Sequence, residues 1–223
     1  MTATLRYRTA LLLRSFRWLP PLLLHLAVMA IGLAARPRPL LDCLGWSAAA
    51  LLPAAAWLVR AGVTAEPPAA RACVAAALGP GRAHTAGALA ALLCSVVLGA
   101  ASTAVVLAIA DPHTTDRLKA VPVVPAAAAG LLAVLVTALV GTAVGVLTSP
   151  PVLLRPGWAA PVTACTAVLV LVAAGSPAHA AVTGLVTGSR TGAVPFPLVP
   201  LLAAALAAAG ATWIAAALSA RRG

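Results

Sequence analysis

The segment Asp111-Pro112-His113-Thr114-Thr115-Asp116 is the one polar cluster in this chain that gathers possible metal ligands. Carboxylates and imidazole are the side chains that hold divalent cations. The plainer expectation is an external turn, with Asp116 beside Arg117 and no metal bound. Other chemistry is sparse. The single lysine, Lys119, follows Leu118, so the G-x-x-x-x-G-K-[ST] phosphate loop is missing. G-x-S-x-G, H-E-x-x-H and C-x-x-C are missing too. Cys43, Cys73, Cys94 and Cys165 are far apart and make no disulfide framework. Cys94 and Cys165 fall in apolar stretches, where a thiol acts as a small hydrophobe. His25 is the one ionisable group set inside an apolar stretch, which makes it the candidate proton or substrate site of an ion-driven carrier. Its plainer role is a packed neutral histidine bonded to a neighbouring helix. No catalytic residue is expected, and a membrane enzyme is not supported.

The elements that must position these residues follow from composition. The chain is 62% hydrophobic and only 9% charged, with a mean hydropathy of +1.05. A soluble domain carries about 25% charged residues, so this chain lacks the polar shell that water demands. Its apolar residues come in long runs, the pattern of helices surrounded by lipid and by each other. Apolar runs of about 20 residues become spanning helices because the bilayer leaves no backbone group unsatisfied. Alternating segments of a membrane β-barrel are not seen. The net charge of +11 comes from residues scattered between the runs, which does not indicate nucleic acid.

The expectation is an all-α polytopic protein in one transmembrane domain with six spans. They lie at Leu19 to Ala35, Leu41 to Val59, Ala86 to Ala110, Val121 to Leu147, Trp158 to Ala174 and Val194 to Leu218. No clean A-x-A cleavage site follows the first run, and Arg36-Pro37-Arg38 comes next, so that run is read as retained. Six spans put both termini on one side. That side collects Arg6, Arg8, Arg14, Arg17, Arg60, Arg71, Arg82, Arg155, Arg221 and Arg222, against Arg36, Arg38, Arg117, Lys119 and Arg190 on the other. The positive-inside rule then places both termini in the cytoplasm of a cell's inner membrane.

Residues 1–18 read as a helix lying on the membrane surface. On a wheel of about 100° per residue, Leu5, Leu12, Phe16 and Leu19 fall within about 60° of one another. Arg6, Arg14 and Arg17 cluster elsewhere within about 80°, and Arg8 is out of place. The arginines would face anionic headgroups, with Trp18 at the interface. A simple basic anchor without fixed helicity accounts for the same charges.

The connector from residue 60 to 85 is long for its task. Glu66-Pro67-Pro68 makes a turn and a helix start, Ala69 to Leu78 favours helix, and Gly79-Pro80-Gly81 stops it. This predicts a short cytoplasmic helix parked against the membrane, flanked by Arg71 and Arg82. Such a helix can receive force from a partner; equally, its arginines can serve only to set topology. Gly141-Thr-Ala-Val-Gly145 is G-x-x-x-G, read first as helix contact and second as a dimer seam. The stretch 175–192 is too short and polar to span and too apolar for a free loop, so it reads as an external or re-entrant helical element.

Taken together, the chain resembles the membrane subunit of a type-2 ATP-binding-cassette exporter, of the kind common in high-GC actinobacteria. The likeness rests on the arginine-bearing N-terminal helix and on the connector "EPPAARACVAAALGPGRAHTAGALAALL". It rests also on the small-residue run "ALVGTAVGVLTSPPVLLRPGW", the element between spans five and six, and the basic end "ARRG". It implies a permease that forms a translocation path and carries no cofactor, with Mg-ATP bound by a separate cytoplasmic ATPase subunit. It implies pairing with a second copy or a related permease. Arg60, Glu66, Arg71, Arg82 and His84 would form the coupling contact, and Arg6, Arg14, Arg17 and Trp18 the interface helix. Two rival expectations stand beside it: a non-transporting membrane anchor or regulatory subunit, and an ion-coupled carrier using His25.

Overall fold

The computed structural model describes residues 2–34, 39–66, 68–150, 152 and 156–222. These residues form nine α-helices: α1 (Thr2–Arg14), α2 (Leu19–Ala34), α3 (Leu40–Thr64), α4 (Pro68–Leu78), α5 (Pro80–Ile109), α6 (Val123–Leu147), α7 (Pro156–Val172), α8 (Pro177–Thr191) and α9 (Leu198–Arg222). Among the described residues there is no sheet. Of two isolated bridges, Pro39 with Asp111 ties the loop after α5 to the start of α3, and His113 with Ala120 closes that loop on itself.

The fold is an all-α polytopic membrane bundle. Helices α3, α5, α6 and α9 are each long and apolar enough to cross a bilayer. Two bent pairs, α1 with α2 at 72° and α7 with α8 at 50°, bring the number of candidate spans to as many as six. The spans expected at residues 86 and 121 begin at Pro80 and Val123, and the second expected span runs on to Thr64. The Gly79-Pro80-Gly81 break is confined to Gly79, whose φ of 84° few side chains adopt; Pro80 opens α5, where its missing N–H costs nothing.

α3 is the axis of the bundle. It is the least apolar of the four long helices, yet 72% of its spanning window is buried, against 22% for α9. A helix shielded from lipid by protein can carry Asp42, Ser47 and Pro53 that a lipid-facing helix would not. α3 and α6 run parallel and pack through small residues. A Cβ on Gly141 would sit 2.8 Å from the Leu52 carbonyl, and one on Gly145 2.5 Å from the Ala56 carbonyl. The G-x-x-x-G face is therefore filled from within the chain.

The element read as external or re-entrant is helix α8. α7 meets the C-terminal half of α3 at Pro53, Trp57 and Arg60, and α8 meets its N-terminal half, with Val182, Leu185 and Val186 around Gly45 and Gly188 beside Leu41. The two helices follow α3 end to end with a bend of 50° at 173–176, the form of a broken span or of a re-entrant loop. At the break Ser176 caps α8 by accepting the Ala178 amide, and His179 Nδ1 lies 3.1 Å from the Leu171 carbonyl. A break at membrane depth is tolerated because side chains take up the freed backbone groups.

Candidate functional site

One end of the bundle gathers Arg6, Arg8, Arg14, Arg17, Arg60, Arg82 and Arg221 among the described side chains. Here α3, α6 and α9 finish while α5 and α7 begin. α1 turns onto this end through an elbow at residues 15–18. Phe16 takes a left-handed φ of 53° just past the helix, the position that ends many helices. The Trp18 indole donates to the Leu13 carbonyl at 2.9 Å and the Ser15 hydroxyl to the Leu12 carbonyl at 2.9 Å, satisfying acceptors that the end of α1 leaves open. Arg17 reaches back to donate to the Thr64 carbonyl at 2.7 Å, a cation on the C-terminus of α3.

The centre of this end is an ion pair. Arg8 lies 2.8 Å from Glu66, and both side chains are buried. His84, on the first turns of α5, faces the same junction close to the Arg8 charge. Arg8, Glu66 and His84 thus join α1, the α3–α4 connector and α5 at one point. Sequence reading had set Arg8 aside as out of place. The signal was present: Arg8 shares a helical face with Leu12, which is buried. A charge on a buried face needs a buried partner, and Glu66 is the acid at this end of the bundle.

The remaining expected residues separate into two groups. Arg6, Arg14 and Arg82 are exposed, and Trp18 is half-buried at the elbow. Arg60 turns inward instead: it donates to the Thr148 carbonyl at the end of α6, at 3.3 Å, and lines a cavity between α2, α3 and α7. Arg71 belongs to α4, but its side chain, with Arg36, Arg38, Pro67 and Arg155, lies outside the described residues. α1 and α4 both pack on α5 and leave between them a shallow groove of about 300 Å³, lined by Thr4, Tyr7, Cys73, Val74 and Ala77.

Within the membrane, His25 is fully buried and its Nε2 lies 2.7 Å from the Ser102 hydroxyl, which also donates to the Leu98 carbonyl at 3.0 Å. At the opposite end the loop 110–122 is a turn bonded to the start of α3 and the end of α8. His113 and Arg117 pair with Asp111 at 2.6 and 3.6 Å, and Thr115 meets Ser189 Oγ at 3.1 Å. Hydrogen bonds from the Thr114 hydroxyl and the Leu118 amide hold the exposed Asp116 carboxyl below the usual carboxylate range. No group of three or more metal-ligating side chains occurs among the described residues. Comparison with known protein families, with curated proteins and with solved structures finds no match.

Proposed function

We infer that this chain is the membrane subunit of an ATP-driven exporter, and that a separate cytoplasmic ATPase docks on the platform built from α1 and α4. The reading takes its family from the resemblance of the sequence, and one observation carries it further. The buried Arg8–Glu66 pair makes α1 and the α3–α4 connector a single body. A free loop that served only to set topology would have no use for a desolvated ion pair, whose formation is costly in itself. Displacement of α4 would pass through Glu66 into α3, the helix that every other span except α9 packs against. The exposed Arg6 and Arg14 of α1 and Arg82 of α5, at the same end of the bundle, suit an acidic partner surface.

The test is purification of the chain from its native membrane with identification of what accompanies it. The reading expects a stoichiometric partner with a phosphate-binding loop and ATPase activity that rises on assembly. Reversal of charge at Arg71 and Arg82 is expected to uncouple transport while insertion is kept; transport unchanged in that variant removes both from the mechanism. A chain that purifies alone, without ATPase activity, overturns the exporter reading. One observation favours a second reading as an ion-coupled carrier: His25 is a titratable side chain sealed in the bundle and bonded to Ser102. Transport that persists in His25→Leu ends that reading.

A further inference from the structure

The cavity beside Arg60 has a chemistry of its own. It measures about 380 Å³, within the range of small-ligand sites. Its walls are apolar: Leu24 of α2, Pro53 and Trp57 of α3, and Ala160, Pro161, Thr163 and Ala164 of α7, with Arg60 of α3 the one charged residue among them. Two prolines line it from within continuous helices, Pro53 of α3 and Pro161 of α7, each lacking the backbone N–H of an ordinary helical residue. α2 and α7 both pack on α3, but their backbones do not pack on each other, so the cavity opens sideways between them. Trp57, Ala160, Pro161 and Ala164 are exposed along that opening.

Arg60 is half-buried, and among the described residues no carboxylate lies within ion-pair distance of it. The chain has four acidic residues. Glu66 is engaged with Arg8, while Asp42, Asp111 and Asp116 stand at the opposite end of the bundle. The hydrogen bond Arg60 makes to the Thr148 carbonyl, at 3.3 Å, uses one terminal nitrogen of a group with five donors. A half-buried guanidinium without a carboxylate partner favours an anionic oxygen group, which it can grip in a bidentate manner.

We propose that this cavity binds the anionic head of an amphiphile, a phosphate or carboxylate on Arg60, with the adjoining alkyl chain laid along Trp57, Pro53 and Leu24 toward the lateral opening. The same chemistry can be presented by an anionic lipid of the bilayer or by an amphiphile arriving as cargo. The site stands independently of any ATPase partner.

The test uses the full chain with Trp57 as its sole tryptophan, the other four replaced by Phe, in nanodiscs of phosphatidylcholine. Dodecyl phosphate and dodecylphosphocholine are titrated separately and Trp57 emission is followed. The proposal expects saturable binding of dodecyl phosphate, about ten-fold tighter than its zwitterionic analogue. Arg60→Gln is expected to abolish that preference, and Arg60→Lys, which keeps the charge but loses the fork, to retain part of it. Circular dichroism and size-exclusion profiles report whether each variant is folded. Should Arg60→Gln fail to fold, Ala164→Leu, which fills the cavity without adding a tryptophan, tests the site by blocking binding. A parallel arm replaces some of the phosphatidylcholine with dibrominated phosphatidylglycerol. Selective quenching of Trp57 there assigns the site to bilayer lipid, and quenching no greater than from dibrominated phosphatidylcholine assigns it to a soluble amphiphile. Equal affinity for the anionic and zwitterionic probes, or a preference that survives in Arg60→Gln, overturns the proposal.

Discussion

Arg8 of the N-terminal helix and Glu66 of the α3–α4 connector meet at 2.8 Å with almost no side-chain surface exposed. The contact joins two segments far apart in the chain and closes the arginine-rich end of the bundle. Removing Arg8 leaves a buried carboxylate without its cation. Arg8→Met is expected to lower stability by about 3–5 kcal/mol, while Arg8→Met with Glu66→Met recovers most of that loss. Thermal unfolding of the single and double variants in one detergent gives the coupling. Additive losses would show that the pair does not act as a unit.

The small faces of α6 make a second prediction. Gly145→Ala drives a Cβ to within 2.5 Å of the Ala56 carbonyl and 2.7 Å of Val59, backbone and branched side chain that have little room to move. The expected cost is about 1–3 kcal/mol. Gly210 on α9 has nothing within 4 Å of such a Cβ, so Gly210→Ala is expected to leave the melting temperature unchanged or slightly raised. Equal effects at both positions would remove the close α3–α6 approach from the account.

Ser102 supports the imidazole of His25 from a neighbouring helix. Ser102→Ala deprives a buried ring nitrogen of its partner at 2.7 Å, with an expected loss of about 1–3 kcal/mol. Ser102→Thr keeps the hydroxyl and is expected to lose less. Comparison of the two by unfolding separates the hydrogen bond from simple packing.

Asp116 titrates in water, outside the spans. Its carboxyl sits below the ordinary value of about 4 because the Thr114 hydroxyl and Leu118 amide bind its ionised form. A group depressed in the folded state stabilises above its unfolded value and loses that contribution as pH falls through the folded one. Thr114→Val is expected to move the Asp116 midpoint upward, followed by carboxyl carbon chemical shifts on selectively labelled protein. An unmoved midpoint would show that the Thr114 bond is not what holds it down.

Composition alone determined the solvent, and the solvent determined the secondary structure. With long apolar runs and few charges, the chain satisfies its backbone in lipid only by forming helices. The positions of the long runs, the short helix after Pro68 and the helical nature of 175–192 were therefore legible before any contact was known. Proline and glycine marked where helices stop: α4 ends at Leu78 before Gly79-Pro80-Gly81, and Pro80 at once opens α5, six residues ahead of the expected span.

Tertiary structure decided what each face touches, because a lipid-facing surface and a helix-facing surface have the same composition. Gly141 and Gly145 carried a packing signal but not its partner, which is α3 of the same chain. The stretch 175–192 had the polarity of an external or re-entrant element, and the fold sets it, as α8, along the N-terminal half of α3. Arg60 looked like one more basic residue at a helix end and turns into a cavity instead. Arg8 looked misplaced on a wheel because the wheel describes a helix against one flat surface. Its partner belongs to a connector that only the folded chain brings beside it, and burial is what makes that pairing necessary.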